Sequence, residues 1–142
     1  MSLATPVLVG PTAVGKTAVA LALAEHWPLE VISADSRQIY RGLDVGTAKP
    51  SRRERTRVAH HGLDLVAPGE RFSAGRYARE AAGWIGEVRG RGRLPVVVGG
   101  TGLYVRALAE GLFLEPPLDP SRRLALDAWL GRLPAADLLR WA

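Results

Sequence analysis

Gly10-Pro11-Thr12-Ala13-Val14-Gly15-Lys16-Thr17 fits the pattern G-x-x-x-x-G-K-[ST] at every fixed position. That pattern describes a phosphate-binding loop. Its flanks agree with it. Pro6-Val7-Leu8-Val9 before it reads as a buried strand, and the apolar run from Ala18 to Ala24 reads as a buried helix. Glycines let the backbone curl so that successive N–H groups face one anion. The helix that follows aims the positive end of its dipole at the same point. Lys16 adds a mobile cation, and the Thr17 hydroxyl can ligate Mg²⁺. The bland alternative is a glycine-rich turn that binds nothing. The loop alone does not say which phosphorylated molecule it holds.

The 142 residues suffice for one domain with a modest core. Apolar residues make up 47%, a globular rather than a disordered composition. There is no cysteine, which excludes a disulfide framework and a cysteine metal site. No apolar run is long enough to span a membrane, and Met1-Ser2-Leu3-Ala4 is too short for a signal peptide. The expected location is therefore the cytoplasm. The net charge of +5 is carried almost wholly by arginine, since Lys16 and Lys49 are the only lysines. Such an excess fits a polyanionic partner such as nucleic acid. It equally fits a genome that favours arginine codons.

Outward from the loop, strands alternate with helices. The first helix should run from about Gly15 to His26, where Pro28 stops it. Glu30-Val31-Ile32-Ser33 is a short buried strand that ends in Ala34-Asp35-Ser36-Arg37-Gln38-Ile39-Tyr40. Polar residues thus crowd a strand's carboxyl end, where open parallel sheets bind ligands. Residues 42–50 form a loop, and the basic stretch 51–59 can be helical. Leu63-Asp64-Leu65-Val66 fits a short edge strand. Ser73 can cap a helix reaching about Arg89, with Tyr77, Ala81, Trp84, Ile85 and Val88 on its apolar face. Leu94-Pro95-Val96-Val97-Val98 is a strand buried on both faces. It enters Gly99-Gly100-Thr101-Gly102 and then a helix with Leu103, Tyr104, Ala107 and Leu108 inward. Pro116, Pro117 and Pro120 mark a connector, with Asp119-Pro120 as a helix cap and first turn. Two short helices follow, at about 124–130 and 135–141. This alternation predicts a three-layer α/β fold on a parallel sheet.

Several residues are candidates for chemistry. Asp35 can hold Mg²⁺, directly or through water, act as a general base, or cap its own turn. Ser36-Arg37-Gln38 has the side-chain types that read base edges and phosphates. Gly99-Gly100-Thr101-Gly102 is either a second anion-binding turn or a plain strand-to-helix connection. His60-His61 lacks a third ligand at metal spacing and reads as a surface pair. Arg52, Arg53, Arg55 and Arg57 form a solvated face or, beside a nucleic-acid site, phosphate contacts.

Four blocks occur in order: the loop at 10–17, Ile32-Ser33-Ala34-Asp35-Ser36-Arg37-Gln38-Ile39-Tyr40, Asp44-Val45-Gly46-Thr47-Ala48-Lys49-Pro50, and Val98-Gly99-Gly100-Thr101-Gly102-Leu103-Tyr104. Together they resemble the tRNA dimethylallyltransferases, also called tRNA isopentenyltransferases, from about Val7 to about Arg123. The resemblance implies a P-loop NTPase-like α/β/α core over residues 1–113. It places the start of a helical tRNA-binding insertion at 114–142. It implies transfer of a dimethylallyl group from dimethylallyl diphosphate to N6 of the adenosine 3′ of the anticodon. On that reading Gly10, Pro11, Thr12, Ala13, Val14, Gly15, Lys16 and Thr17 hold the diphosphate, with Mg²⁺ at Thr17. Asp35 takes the proton from the exocyclic amine. Asp35, Ser36, Arg37, Gln38 and Thr101 line the channel for the flipped base, and Arg123 touches the tRNA anticodon stem-loop. The family is about twice this length, so the expectation is an amino-terminal portion of a monomeric enzyme. Two other readings stand beside it: a small P-loop kinase of nucleotides or metabolites, and a non-catalytic remnant that binds RNA.

Overall fold

The computed structural model describes residues 4–111 and 119–140. The chain divides into two compact units, Met1–Leu112 and Phe113–Ala142. The first contains β1 (Val7–Val9), α1 (Lys16–Leu23), β2 (Leu29–Ser33), α2 (Arg52–Arg57), β3 (His60–His61), α3 (Ala74–Gly90), β4 (Leu94–Gly99) and α4 (Gly102–Glu110). The four strands form one parallel sheet in the order β1-β4-β2-β3. Leu29–Ser33 pairs in register with Leu94–Val98. Parallel strands need a crossover of a dozen or more residues, and helices supply it here.

Alternation along the two central strands builds two cores. Ile32, Ala34 and Val97 face a cluster with Tyr77, Ala81 and Val88 of α3 and with Tyr104 and Ala107 of α4. Val31, Val96 and Val98 face the other way, onto Ala20 and Leu21 of α1. The helices on either face thus give the α/β/α layering that the sequence predicts. Local signals start the helices. The Ser73 hydroxyl accepts the Arg76 N–H at 3.1 Å, capping α3. Ser51 and Glu54 form a reciprocal capping box on α2. Tyr77 and Tyr104 stack with ring centroids 4.3 Å apart, joining α3 to α4.

Several expectations need correction. The apolar strand before the phosphate loop is not buried: Val7 and Val9 are half-exposed, because β1 is the sheet edge beyond β4. The helix after the loop buries only Ala20 and Leu21 and ends at Leu23. The edge strand lies at His60–His61, not at 63–66. Gly62 (φ 82°) and Asp64 (φ 56°) are left-handed, so the chain turns there, and Val66 makes only an isolated bridge to Tyr40. The histidines are therefore half-buried strand residues rather than a surface pair. Leu103 points outward, 58% exposed, while Tyr104 and Ala107 are buried. Trp84 is at the core's margin, stacked on the His61 ring.

The second unit contains α5 (Pro120–Leu130) and α6 (Ala135–Leu138). Asp119 caps α5, its carboxylate accepting the Ser121 N–H at 2.8 Å, and Pro120 opens the first turn. Leu124, Leu126, Trp129 and Leu139 are exposed. The connector at Pro116 and Pro117, the boundary expected at 113/114, and Trp141 lie outside the described residues.

Candidate functional site

The phosphate loop joins β1 to α1. Gly15 occupies the N-cap of α1 with φ 89°, a left-handed conformation that a side chain would strain. No side chain caps this helix end, so its first-turn N–H groups stay open to a ligand. Lys16 Nζ donates to the carbonyls of Gly10 (2.9 Å) and Pro11 (2.7 Å). The ammonium is thus pinned against the loop rather than swinging free.

At the carboxyl end of β2 the chain makes a tight turn. Asp35 Oδ1 accepts the N–H groups of Arg37 (2.8 Å) and Gln38 (3.3 Å). This is the self-capping aspartate turn. Oδ2 accepts nothing from the described residues. Ser36 N–H donates to Thr101 Oγ1 at 2.9 Å, and Thr101 N–H donates to the Ala34 carbonyl at 3.1 Å. The ends of β2 and β4 are therefore latched together. Gly99 makes the latch possible, since a Cβ there would lie 2.2 Å from Ala34 O. The glycine turn at 99–102 is thus first a packing junction. Thr101, the N-cap of α4, uses its hydroxyl on Ser36 rather than on the helix.

Gln38 is held on three sides. Its Oε1 accepts the Ser33 hydroxyl at 3.1 Å, and its Nε2 donates to the carbonyls of Thr47 (3.1 Å) and Ala48 (3.2 Å). The loop that supplies those carbonyls is itself closed by Lys49, whose side chain is wholly buried. Lys49 Nζ donates to Tyr40 O (2.7 Å), Asp44 Oδ1 (2.8 Å) and Asp64 Oδ1 (2.8 Å). Arg55 takes the second oxygen of Asp64 at 2.7 Å. Burial opposes the charge on Lys49, but the bonds to Asp44 and Asp64 outweigh it and hold the ammonium above the usual lysine value. Burial likewise opposes the charge on Asp64, and Lys49 and Arg55 outweigh it, keeping the carboxylate ionised.

These elements enclose a cavity of about 330 Å³ at the carboxyl ends of β2 and β4. Thr12, Ala13, Gly15, Lys16 and Thr17 line one side; Asp35 and Gln38 line another; Thr47 and Ala48 lie opposite. Ala20, Val31 and Val98 give it an apolar wall, and the half-buried His60 lines it too. Burial pushes the His60 imidazole below its usual value, and Nδ1 sits 2.7 Å from the Val58 carbonyl, so the neutral ring carries its proton there. Gly10 and Pro11 contribute carbonyls to Lys16, and Val14 is 57% exposed. Ser36 and Arg37 lie beside the cavity in the Asp35 turn. Arg123 is exposed on α5 in the second unit.

Among the described residues no group of three His, Asp or Glu side chains is arranged to hold a metal. The Thr17 hydroxyl and the Asp35 carboxylate do line one cavity. Two oxygen donors beside a phosphate site suit Mg²⁺, which binds few protein ligands and keeps several waters. Sequence reasoning missed the role of Lys49, the Thr47 and Ala48 carbonyls, and the place of His60 in the cavity lining. The only signal was an acid, a lysine and a glycine crowded into residues 44–49.

Two family models cover the chain. IPP transferase matches residues 38–140, and isopentenyl transferase matches residues 4–61. The chain belongs to the IPP transferase family. A family relative from Anaeromyxobacter dehalogenans (strain 2CP-C), a tRNA dimethylallyltransferase, is 55% identical over 123 residues, 87% of this chain and 41% of that one. Another, from Deinococcus radiodurans, is 53% identical over 125 residues, again 41% of its length. The full-length tRNA isopentenylpyrophosphate transferase of Bacillus halodurans superposes with a TM-score of 0.75 at 43% identity, over 94% of this chain and 45% of that one. A eukaryotic dimethylallyltransferase acting on tRNA also gives a TM-score of 0.75, at 31% identity over 84% of this chain and 31% of that one. The chain therefore has the P-loop NTPase-like fold of this transferase family. It spans about two fifths of the length of the curated relatives it matches. No helix among the described residues is long and apolar enough to cross a membrane.

Proposed function

We propose that this chain supplies the diphosphate and base ends of a tRNA dimethylallyltransferase site. One observation carries the reading: Lys16, Thr17, Asp35 and Gln38 line a single cavity at the carboxyl edge of the sheet. A phosphate-binding loop and a carboxylate facing the same space suit the transfer of an allylic group away from diphosphate.

The leaving group would sit in the loop at residues 10–17. Negative charge grows on its bridging oxygen as the allylic C–O bond breaks. The open N–H groups of α1's first turn would stabilise that charge, and the Lys16 ammonium, held on the Gly10 and Pro11 carbonyls, would exchange a loop carbonyl for a phosphate oxygen. Mg²⁺ at Thr17 would further neutralise the diphosphate. The acceptor is N6 of the adenosine 3′ of the anticodon in tRNA. An exocyclic adenine amine is a weak nucleophile, because its lone pair is delocalised into the ring. A carboxylate within reach improves it by taking the proton during attack. Asp35 fits that role through Oδ2, since Oδ1 is engaged with the turn. The base must leave its stack to reach this depth. Gln38 lines the cavity and Ser36, Arg37 and Thr101 adjoin it through the Asp35 turn and its latch, so these four would guide the base in, and Arg123 in the second unit would belong to the tRNA grip. A tRNA substrate supports a cytoplasmic location.

Ligand choice tests the reading. Calorimetric titration with dimethylallyl thiodiphosphate and with ATP, each with Mg²⁺, should show the prenyl diphosphate bound at least about tenfold more tightly, a difference of ~1.4 kcal/mol. Tighter binding of ATP would favour phosphoryl transfer instead.

A further inference from the structure

We propose that Lys49 is a positioning residue that sets the hydrogen-bonding polarity of Gln38 in the cavity. What binds there rests on the function proposed above; the clamp rests only on this chain's own contacts. An ammonium has three donors, and Lys49 spends all three on protein acceptors. The partners come from three places. Tyr40 O lies before the 42–50 loop, Asp44 opens it, and Asp64 lies beyond α2. Lys49 N–H also donates to the Asp44 carbonyl at 3.2 Å, so the loop closes on itself. Arg55 ties Asp64 and the Pro50 carbonyl to α2. The clamp thus fixes both ends of one loop.

The middle of that loop meets Gln38. Thr47 O and Ala48 O both face its amide, and a carbonyl can only accept. The amide therefore has one orientation, with both Nε2 hydrogens consumed. Oε1 keeps a single unused lone pair after accepting Ser33. Gln38 lines the cavity as an acceptor and not as a donor. A free glutamine could flip to serve either way. The clamped one suits an N–H group, such as the exocyclic amine of a 6-aminopurine. A 6-oxopurine would set oxygen against oxygen.

The test reads the Gln38 side-chain amide by ¹⁵N NMR hydrogen exchange in the wild type, Lys49→Met and Asp44→Asn. Asp44 is mostly exposed, so its variant keeps the test decisive if Lys49→Met does not fold. Wild-type Gln38 should be protected. Both variants should speed its exchange by about tenfold or more while the backbone amides of Val31 and Ile32 keep their rates. A second arm compares binding of two RNA hairpins that present adenosine or inosine at the target position. The wild type should prefer adenosine, and Asp44→Asn should narrow that preference without changing affinity for inorganic diphosphate. Gln38 exchange unchanged in both variants, or changed only in step with Val31 and Ile32, would overturn the proposal. If neither hairpin binds but the Gln38 amide is released as described, the positioning role stands and the tRNA reading fails.

Discussion

Gly99→Ala should be among the most damaging single-methyl changes in the chain. The new Cβ would lie 2.2 Å from Ala34 O, 2.4 Å from Ala34 C and 2.8 Å from Ala34 Cα. All three are backbone atoms of the neighbouring strand's end, so no rotamer change relieves the clash. Relief requires the ends of β2 and β4 to part by roughly an ångström. Two hydrogen bonds cross this point: Ala34 N–H to Val98 O at 2.8 Å and Thr101 N–H to Ala34 O at 3.1 Å. Losing both costs about 2 kcal/mol. Strain in the surrounding core adds about 1–3 kcal/mol. The expected loss is therefore ~3–5 kcal/mol, a large share of the ~5–15 kcal/mol that holds a domain together. Gly83→Ala is the matched control. Gly83 sits exposed inside α3 with nothing near its missing Cβ, so alanine there should stabilise by ~0.5–1 kcal/mol. Urea unfolding followed by circular dichroism measures both. If Gly99→Ala unfolds within about 1 kcal/mol of the wild type, the close approach of the two strands is not what the glycine provides.

The same physics gives two further expectations. Lys16→Ala should weaken diphosphate binding by ~1.5–3 kcal/mol, tenfold or more, in calorimetry, because a charge-assisted contact is lost; equal affinities would remove Lys16 from the site. Glu30 is a buried carboxylate held down by its bond to Arg91 (2.8 Å) and also by His61 (2.7 Å), which together outweigh its burial. Its value is lowered on folding, so its stabilisation is present above the ordinary 4.5 and is lost as pH falls through the lower folded value. Glu30→Gln should therefore be less stable than wild type at neutral pH, with the gap closing at strongly acid pH; a gap independent of pH would refute the linkage.

Much of the fold was legible because its signals are local. The loop at residues 10–17 fixes strand, turn and helix together, and Ser73 and Asp119-Pro120 mark helix starts by their own chemistry. The failures share a cause. Leu63-Asp64-Leu65-Val66 alternates like a strand, but alternation carries no information about the left-handed φ at Asp64. β1 reads as buried, yet burial depends on which strand is an edge, and order in the sheet is a long-range property. Glu30 looked like one residue of a plain buried strand. Its partners His61 and Arg91 are 31 and 61 residues away. At the site, the sequence pointed to Lys16, Thr17, Asp35 and Gln38, which the fold does bring to one cavity. It gave no hint that Gln38 is locked by two carbonyls, or that Lys49 is buried, because backbone acceptors leave no mark in a sequence.

The central claim is that this cavity serves prenyl transfer to tRNA. It is tested most directly in an enzyme of the relatives' length whose amino-terminal segment is this sequence, grafted onto the Anaeromyxobacter dehalogenans relative. Radiolabelled dimethylallyl diphosphate and Mg²⁺ are supplied with unmodified tRNA that carries adenosine 3′ of the anticodon. The account predicts label on that adenosine, and a turnover lowered by about 10²–10⁴ when Asp35 is changed to Asn, with diphosphate affinity retained. Label absent from the tRNA, or an Asp35→Asn enzyme as fast as its parent, would contradict it.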